Sequence, residues 1–142
     1  MSVCTFFGHR DCPASVKPKL KAVLVDLIEN HAVDTFYIGN QGAFDSHARL
    51  ALQELVQAYP HIRYTVVLAY LPKENETYSY DTLFPDGIEA VPKRFAIGWR
   101  NKWMLKRADY VVAYITHSWG GAGQFAERAQ KEGKKVIHLA EK

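Results

Sequence analysis

Apolar residues are distributed along the chain in two alternating patterns, short continuous runs and longer segments with helical spacing. Predominantly apolar runs occupy positions 3–7, 35–38, 62–71, 110–115 and 135–139, and such runs are typical of strands covered on both faces of a parallel sheet. After the first run, Ser15 is placed to cap an amphipathic helix, whose apolar face comprises Leu20, Val23, Leu24, Leu27 and Ile28. Helices are likewise predicted over 45–59, 99–107 and 123–132.

The segment 72–96 interrupts this alternation. Prolines and a glycine break it at positions 72, 85, 87 and 92, and it carries the aromatic residues Tyr78, Tyr80 and Phe84. A loop this long in a small domain is usually functional or mobile. The order β-α-β-α-β-loop-α-β-α-β therefore predicts an α/β fold: one domain over residues 1–142, a single Rossmann-like three-layer sandwich around a mostly parallel sheet of about five strands.

Composition narrows the class of protein and its partners. With 48% hydrophobic and 23% charged residues, the chain is typical of globular domains. The net charge of +3 is mild and the basic residues are scattered, so no strong nucleic-acid signal is predicted. Two cysteines, Cys4 and Cys12, do not indicate a disulfide scaffold. Without a signal-peptide pattern or an apolar run long enough to span a bilayer, the prediction is a cytoplasmic protein with no membrane partner.

Three glycine-bearing turns follow predicted strands. Because parallel strands end at the same edge of a sheet, these turns should converge there, and glycines next to helix starts favour a bound phosphate. The plainer interpretation is that each glycine only makes a tight turn. The predicted ligand- or phosphate-binding residues are Gly8, His9, Arg10, Gly39, Asn40, Gly42, Asp45, Gly120, Gly121, Gly123 and Gln124.

Three charged residues are candidates for more specific roles. Glu127 follows the last glycine turn and could contact a ribose hydroxyl or a developing positive charge; alternatively, it is an acid favoured by the helix dipole. Arg10 and Arg100 could contact a phosphate or a base, or form structural ion pairs.

Other chemistries have weaker support. Residues 121–126 match a dinucleotide fingerprint with Glu141 near the ribose-binding position, but only one strand follows them. His9 and Cys12 lack a second ligand pair, so no metal and no cofactor are predicted. A Cys12 nucleophile with His9 or His47 as its base is conceivable because helix starts lower thiol pKa values.

The segment 119–127, WGGAGQFAE, resembles the P-G-G-x-G-T-x-x-E signature of the LONELY GUY phosphoribohydrolases. The segment 99–114, WRNKWMLKRADYVVAY, is similar to that family's arginine-bearing helix and following strand, and its Arg100–Asn101 pair is similar to the DNA-processing protein A branch. GNQGAFDSHA at 39–48 resembles the second glycine loop of the SLOG superfamily, which contains both groups. Departures occur at Trp119 and Gln124, where the phosphoribohydrolases have proline and threonine, and "GHR" at 8–10 is more similar to an uncharacterised branch.

With the glycine turns, this resemblance implies a nucleoside 5′-monophosphate or related phosphoribosyl ligand at the carboxyl edge of the sheet. As an enzyme, the protein would hydrolyse the N-glycosidic bond, with Glu127 and Arg100 as catalytic residues. The alternative is a non-catalytic sensor of nucleotide derivatives that acts through a partner protein, with the 72–96 loop closing over the ligand. The resemblance implies a homodimer, and the large apolar residues Trp99, Trp103 and Met104 either form its interface or pack in the core of one domain.

Overall fold

A parallel sheet forms the centre of the structure, a computed structural model that describes residues 1–72, 77–117 and 119–140. Its six strands are β1 (Ser2–Gly8), β2 (Val33–Ile38), β3 (Arg63–Val67), β4 (Thr82–Leu83), β5 (Tyr110–Tyr114) and β6 (Lys135–His138). They lie in the order β4-β3-β2-β1-β5-β6, and every pairing is parallel. The chain therefore changes direction across the sheet beside β1, which is where α/β folds form ligand crevices.

Four helices cover the two faces of this sheet: α1 (Lys17–Asn30), α2 (Ala43–Ala58), α3 (Ala96–Arg107) and α4 (Gly121–Lys131). Neighbouring strand residues point to opposite faces, and β1 shows this directly. Phe6 lies in the core with Leu20 and Leu52 of α1 and α2, whereas Phe7 packs with Met104 and Ala129 of α3 and α4. The predicted α/β, Rossmann-like three-layer architecture is confirmed.

The sheet has one strand more than predicted, because the segment 72–96 is not a plain loop. Within it, β4 extends the edge of the sheet through hydrogen bonds from Val66 N–H to the Asp81 carbonyl, 2.9 Å, and from Leu68 N–H to the Leu83 carbonyl, 2.8 Å. Two short 3-10 turns, Ile88–Ala90 and Lys93–Phe95, follow it. A two-residue strand held by backbone hydrogen bonds leaves no apolar periodicity to detect.

Other element boundaries also differ from the prediction, and α2, α3 and α4 each begin two or three residues earlier than expected. Ser15 lies inside a 3-10 turn, Ala14–Val16, and α1 begins after it without a side-chain cap, with Pro18 in its first turn. β3 ends at Val67, earlier than the apolar run predicted. Within the described parts of the chain, no helix combines the length and the apolar character that crossing a membrane requires.

Candidate functional site

A cavity of about 240 Å³ opens at the carboxyl edge of the sheet. Its walls come from the end of β1 and the turn after it, the turn after β2, the starts of α2 and α4, and the part of α3 from Ile97 to Met104. Six of the residues predicted from the sequence line it, namely Gly8, His9, Arg10, Asp45, Arg100 and Gly121. Gln41, Asn101 and Ala122 also line it without having been selected from the sequence, although all three lie within segments whose motifs pointed to this edge.

Arg100 places a positive charge in the wall of this cavity. The residue is only 2% exposed, and its guanidinium donates from Nη1 to the Val67 carbonyl at 3.0 Å and from Nε to Asn101 Oδ1 at 2.9 Å. None of the described residues brings a carboxylate oxygen within 4.0 Å of it. Burial lowers the pKa of Arg100, and the nearby Asp45 opposes that shift. The cavity therefore contains a buried cation without a direct ion-pair partner among the described residues.

The glycines after β2 make room for the two arginines. A Cβ atom at Gly39 would lie 2.9 Å from Cζ and both Nη atoms of Arg100, so only glycine lets the guanidinium lie against this backbone. Gly42 has a φ of +98°, and a Cβ there would lie 2.6 Å from Cα of Arg10. The next residue, Ala43, donates its N–H to the Arg10 carbonyl at 2.7 Å. Both glycines position cavity residues, and neither lines the cavity itself.

Asp45 and Gln41 supply acceptor groups. The Asp45 carboxylate accepts the Gln41 backbone N–H at 3.0 Å. Burial raises the pKa of Asp45 to about 6, against the charge of Arg100 and this hydrogen bond, which both lower it. The side-chain Oε1 of Gln41 is buried and has no hydrogen-bond partner among the described residues. A ligand with hydroxyl or N–H groups would satisfy these acceptors.

His9 lines the cavity as a neutral ring. Its Nε2 accepts the Thr116 backbone N–H at 2.9 Å, which places the ring proton on Nδ1. Burial lowers the pKa of His9, the charge of His117 lowers it further, and Asp11 opposes both effects. Its ring also stacks on His117, at 3.7 Å between centroids.

The start of α4 is open to a ligand. Its first residue is Gly121, preceded by Gly120 at a φ of +93°. A Cβ placed at either glycine would meet no atom within 4 Å, so nothing crowds this backbone. The first N–H groups of a helix lack intrahelical acceptors and carry a partial positive charge. Gly121 therefore brings a second, backbone-based positive potential to the cavity.

Several predicted site residues lie outside the cavity lining. Glu127 is exposed and forms an ion pair with Lys131 at 3.2 Å, one turn further along α4. Asn40 and Gln124 are exposed, and Gly123 is buried in α4. The catalytic role of Glu127 stays a prediction, and its position gives that role no support.

The aromatic residues of the 72–96 segment also lie away from the cavity lining. Tyr80 packs under the Arg49 guanidinium of α2 and against Tyr78, and Phe84 packs on the cluster that contains Ile88. Residues 73–76, Ser118 and Glu141 lie outside the described part of the chain. The ribose-binding role that the dinucleotide fingerprint would give Glu141 therefore falls outside it too.

Cys12 does not have the environment of a nucleophile. Its thiol is buried beside Asp11, and burial followed by that carboxylate raises the pKa of Cys12 to about 11. The described residues contain no group of three or more His, Cys, Asp or Glu side chains that could hold a metal ion.

The predicted dimer rested on the large apolar residues of α3. Met104 is buried, Trp103 packs against Tyr37 with ring centroids 5.2 Å apart, and Trp99 packs on the Ile88 cluster. The domain itself covers much of this apolar surface. The dimer stays a prediction.

Comparisons with known proteins bear on the fold. No protein-family model matches the chain, and no curated protein matches it in sequence. Its structure is similar to DNA processing protein A from Streptococcus pneumoniae, with 17% identity, a TM-score of 0.67 and coverage of 97% of this chain but 50% of that one. It is also similar to DNA processing protein A from Helicobacter pylori, with 16% identity, a TM-score of 0.61 and coverage of 99% of this chain and 66% of that one.

These similarities show that the chain shares a Rossmann-like fold with the two DNA processing proteins, which is the fold that the sequence resemblance implied. Assignment to the "GHR" branch stays a prediction. The Helicobacter pylori protein is described as having a single-stranded DNA binding mode. This finding overturns the sequence-based expectation of no strong nucleic-acid signal. That expectation considered only how basic residues are scattered along the sequence, and it did not consider basic groups that converge only in the fold.

Proposed function

We propose that the cavity binds the phosphate-bearing part of a nucleotide and does not hydrolyse it. The observation that carries this proposal is the buried guanidinium of Arg100, which lines the cavity without a carboxylate partner among the described residues within 4.0 Å. Burying an uncompensated charge costs several kcal/mol. A phosphate oxygen in the cavity would compensate that charge with short, charge-assisted hydrogen bonds.

Two further sources of positive potential face the same space. The exposed side chain of Arg10 lines the cavity from the turn after β1, and Gly121 brings the start of α4 to it. Helix starts bind phosphates through their free N–H groups and the helix dipole. Since these groups come from three separate elements, their convergence is a property of the fold and favours an anion of phosphate size.

Acceptor groups in the cavity favour a phosphate that is attached to a sugar. The Asp45 carboxyl and the unpartnered Gln41 Oε1 would repel or fail to bind inorganic phosphate, whereas either could accept a hydrogen bond from a sugar hydroxyl. The cavity volume of about 240 Å³ is below the roughly 300–1,000 Å³ of typical small-molecule sites. The cavity is therefore suited to the phosphate and part of the sugar rather than to a whole nucleotide.

Two ligands provide this chemistry. One is a free nucleoside 5′-monophosphate or related phosphoribosyl compound, which the protein would sense rather than cleave, since Glu127 lies outside the cavity lining and is paired with Lys131. The other is one nucleotide of single-stranded DNA, favoured by the similarity to the Helicobacter pylori protein. The phosphodiester backbone of DNA offers the same anion to the same cations.

Calorimetry with wild type and charge-neutralised variants tests this proposal. Arg10→Gln removes a cavity cation whose side chain is exposed, so the fold should survive, and Arg94→Gln is a matched control because Arg94 is exposed and outside the lining. We expect wild type to bind nucleoside monophosphates or oligothymidylate but not nucleosides. Arg10→Gln should weaken binding about tenfold, the equivalent of one charge-assisted hydrogen bond, and Arg94→Gln should leave it unchanged.

The buried arginine allows a stricter version of the experiment. Arg100→Gln should abolish the phosphate-dependent part of binding, and near-UV circular dichroism would verify that the variant is folded. No binding by wild type at millimolar concentration, or equal binding by all variants, would refute the proposal.

A further inference from the structure

Three aromatic rings form a continuous stack beside the cavity. His9 stacks on His117 with centroids 3.7 Å apart and an interplanar angle of 15°, and His117 stacks on Trp119 at 3.8 Å and 16°. Hydrogen bonds hold this arrangement, because the Thr116 N–H donates to His9 Nε2 at 2.9 Å and His117 Nδ1 lies 2.9 Å from the Trp119 carbonyl oxygen. The stack has a fixed inner end at the cavity wall, where His9 lies.

The outer end of the stack is exposed. Trp119 is 71% exposed although one face of its indole is covered by His117. The next two residues are Gly120 and Gly121, where an added Cβ would meet no atom within 4 Å, so the space around the start of α4 is open. An aromatic face held parallel to two other rings, next to a phosphate-sized cavity, has the shape and chemistry to accept another flat ring.

We infer that Trp119 is a stacking platform for the nucleobase of the ligand. This inference rests on the proposed function and adds to it the position of the base. The cavity volume suits only part of a nucleotide, so a base attached to a phosphate at Gly121 would extend beyond it. Trp119 directly precedes the glycines of that helix start. Stacking on a single exposed ring accepts any base because every base has a π-face.

A lone exposed ring would be a poor docking surface for another protein. Such surfaces are usually contiguous apolar patches of several hundred Å², whereas the neighbours of Trp119 in the chain that the structure describes are glycines and His117. A nucleobase with an attached phosphate would gain binding free energy both from stacking on Trp119 and from contact of its phosphate with the adjacent cations.

Fluorescence polarisation with a short labelled oligothymidylate and competition with thymidine monophosphate test this inference. Trp119→Ala should weaken binding roughly 5- to 100-fold, the range of one base–aromatic stack, whereas Trp119→Phe should keep most of the affinity. Phe95→Ala is the matched control, because Phe95 is exposed and does not line the cavity. An abasic strand of the same length should bind wild type and Trp119→Ala equally.

The outcomes separate the ligand sources and the two proposals. If Trp119→Ala has lower affinity for both probes, a free nucleotide is a sufficient ligand. If it has lower affinity only for the oligothymidylate, the ligand is single-stranded DNA. Either result supports the platform. If wild type binds and Trp119→Ala binds equally well, the platform is refuted while the phosphate site stands. If wild type binds neither probe, the proposed function fails and the platform fails with it.

Discussion

The carboxyl of Asp45 should make folding pH-dependent in an unusual direction. Burial raises its pKa to about 6 from an ordinary value of 3.8, so the folded protein holds this proton more tightly than the unfolded chain. The stability that Asp45 contributes is then complete below a pH of about 4 and is lost as the pH rises through about 6. A difference between pKa values of 3.8 and about 6 corresponds to about 3 kcal/mol in unfolding free energy.

Asp45→Asn isolates this effect. Asparagine has nearly the same size, and its Oδ1 can still accept the Gln41 N–H that the carboxylate accepts at 3.0 Å. Below a pH of about 4, the variant and the wild type should therefore have similar stability. As the pH rises to about 8, the variant should become more stable than wild type by about 2–3 kcal/mol, because it has no buried carboxyl to ionise.

Urea denaturation of both proteins across this pH range measures the difference, and groups that titrate in both proteins cancel from it. Carbon-detected NMR of the Asp45 carboxyl would give its pKa independently. A stability difference that does not change with pH would refute the reasoning. A variant that becomes less stable than wild type at high pH would show that attraction between the Asp45 carboxylate and Arg100 outweighs desolvation.

Three further predictions concern the cavity and its surroundings. Gly39→Ala should displace the Arg100 guanidinium, which would lie 2.9 Å from the new methyl carbon; calorimetry should show nucleotide affinity reduced at least about tenfold, with a stability cost of about 1–3 kcal/mol. Glu127→Gln should leave nucleotide affinity and stability nearly unchanged, and chromatography should detect no free base with either protein; base release by wild type that falls about a hundredfold in the variant would instead establish the hydrolase. Oligothymidylate binding should strengthen as the pH falls from about 8 to about 6, and Asp45→Asn should remove that trend.

The architecture could be predicted because its signals are local and redundant. Apolar runs covered on both faces, such as β1 and β5, are typical of a sheet between two helical layers, and the helices between them have regular apolar spacing. The edge strand β4 could not be predicted, since Thr82 and Leu83 are held by backbone hydrogen bonds to β3 and have no side-chain pattern of their own.

The location of the candidate site could be predicted, but the residues that line it could be predicted only in part. Topology brings the turns after β1 and β2 and the start of α4 to one edge, so Gly8, Arg10 and Gly121 followed from strand order alone. The roles of individual residues within these turns could not be predicted, because they depend on the position of the long Arg100 side chain. Gly39 was predicted to contact the ligand, yet it makes space for Arg100, which reaches it from α3. The stack of Trp119 on His117 likewise depends on loop geometry that no periodic pattern encodes.

Charge balance in the cavity explains why phosphate binding and proton uptake should be coupled. The buried Arg100 and the partly exposed Asp45 have opposite charges in the walls of one cavity, and each shifts the pKa of the other toward its charged form. An incoming phosphate compensates Arg100 but repels an ionised Asp45. Because the pKa of Asp45 is about 6, protonating it at neutral pH costs only about 1.4 kcal/mol, less than the several kcal/mol at stake in a buried, unpaired charge. The neutral carboxyl would no longer repel the phosphate, and it could hydrogen-bond a sugar hydroxyl either as donor or as acceptor. Proton uptake by Asp45 would therefore accompany phosphate binding, and this coupling is the reason that nucleotide affinity should rise as the pH falls.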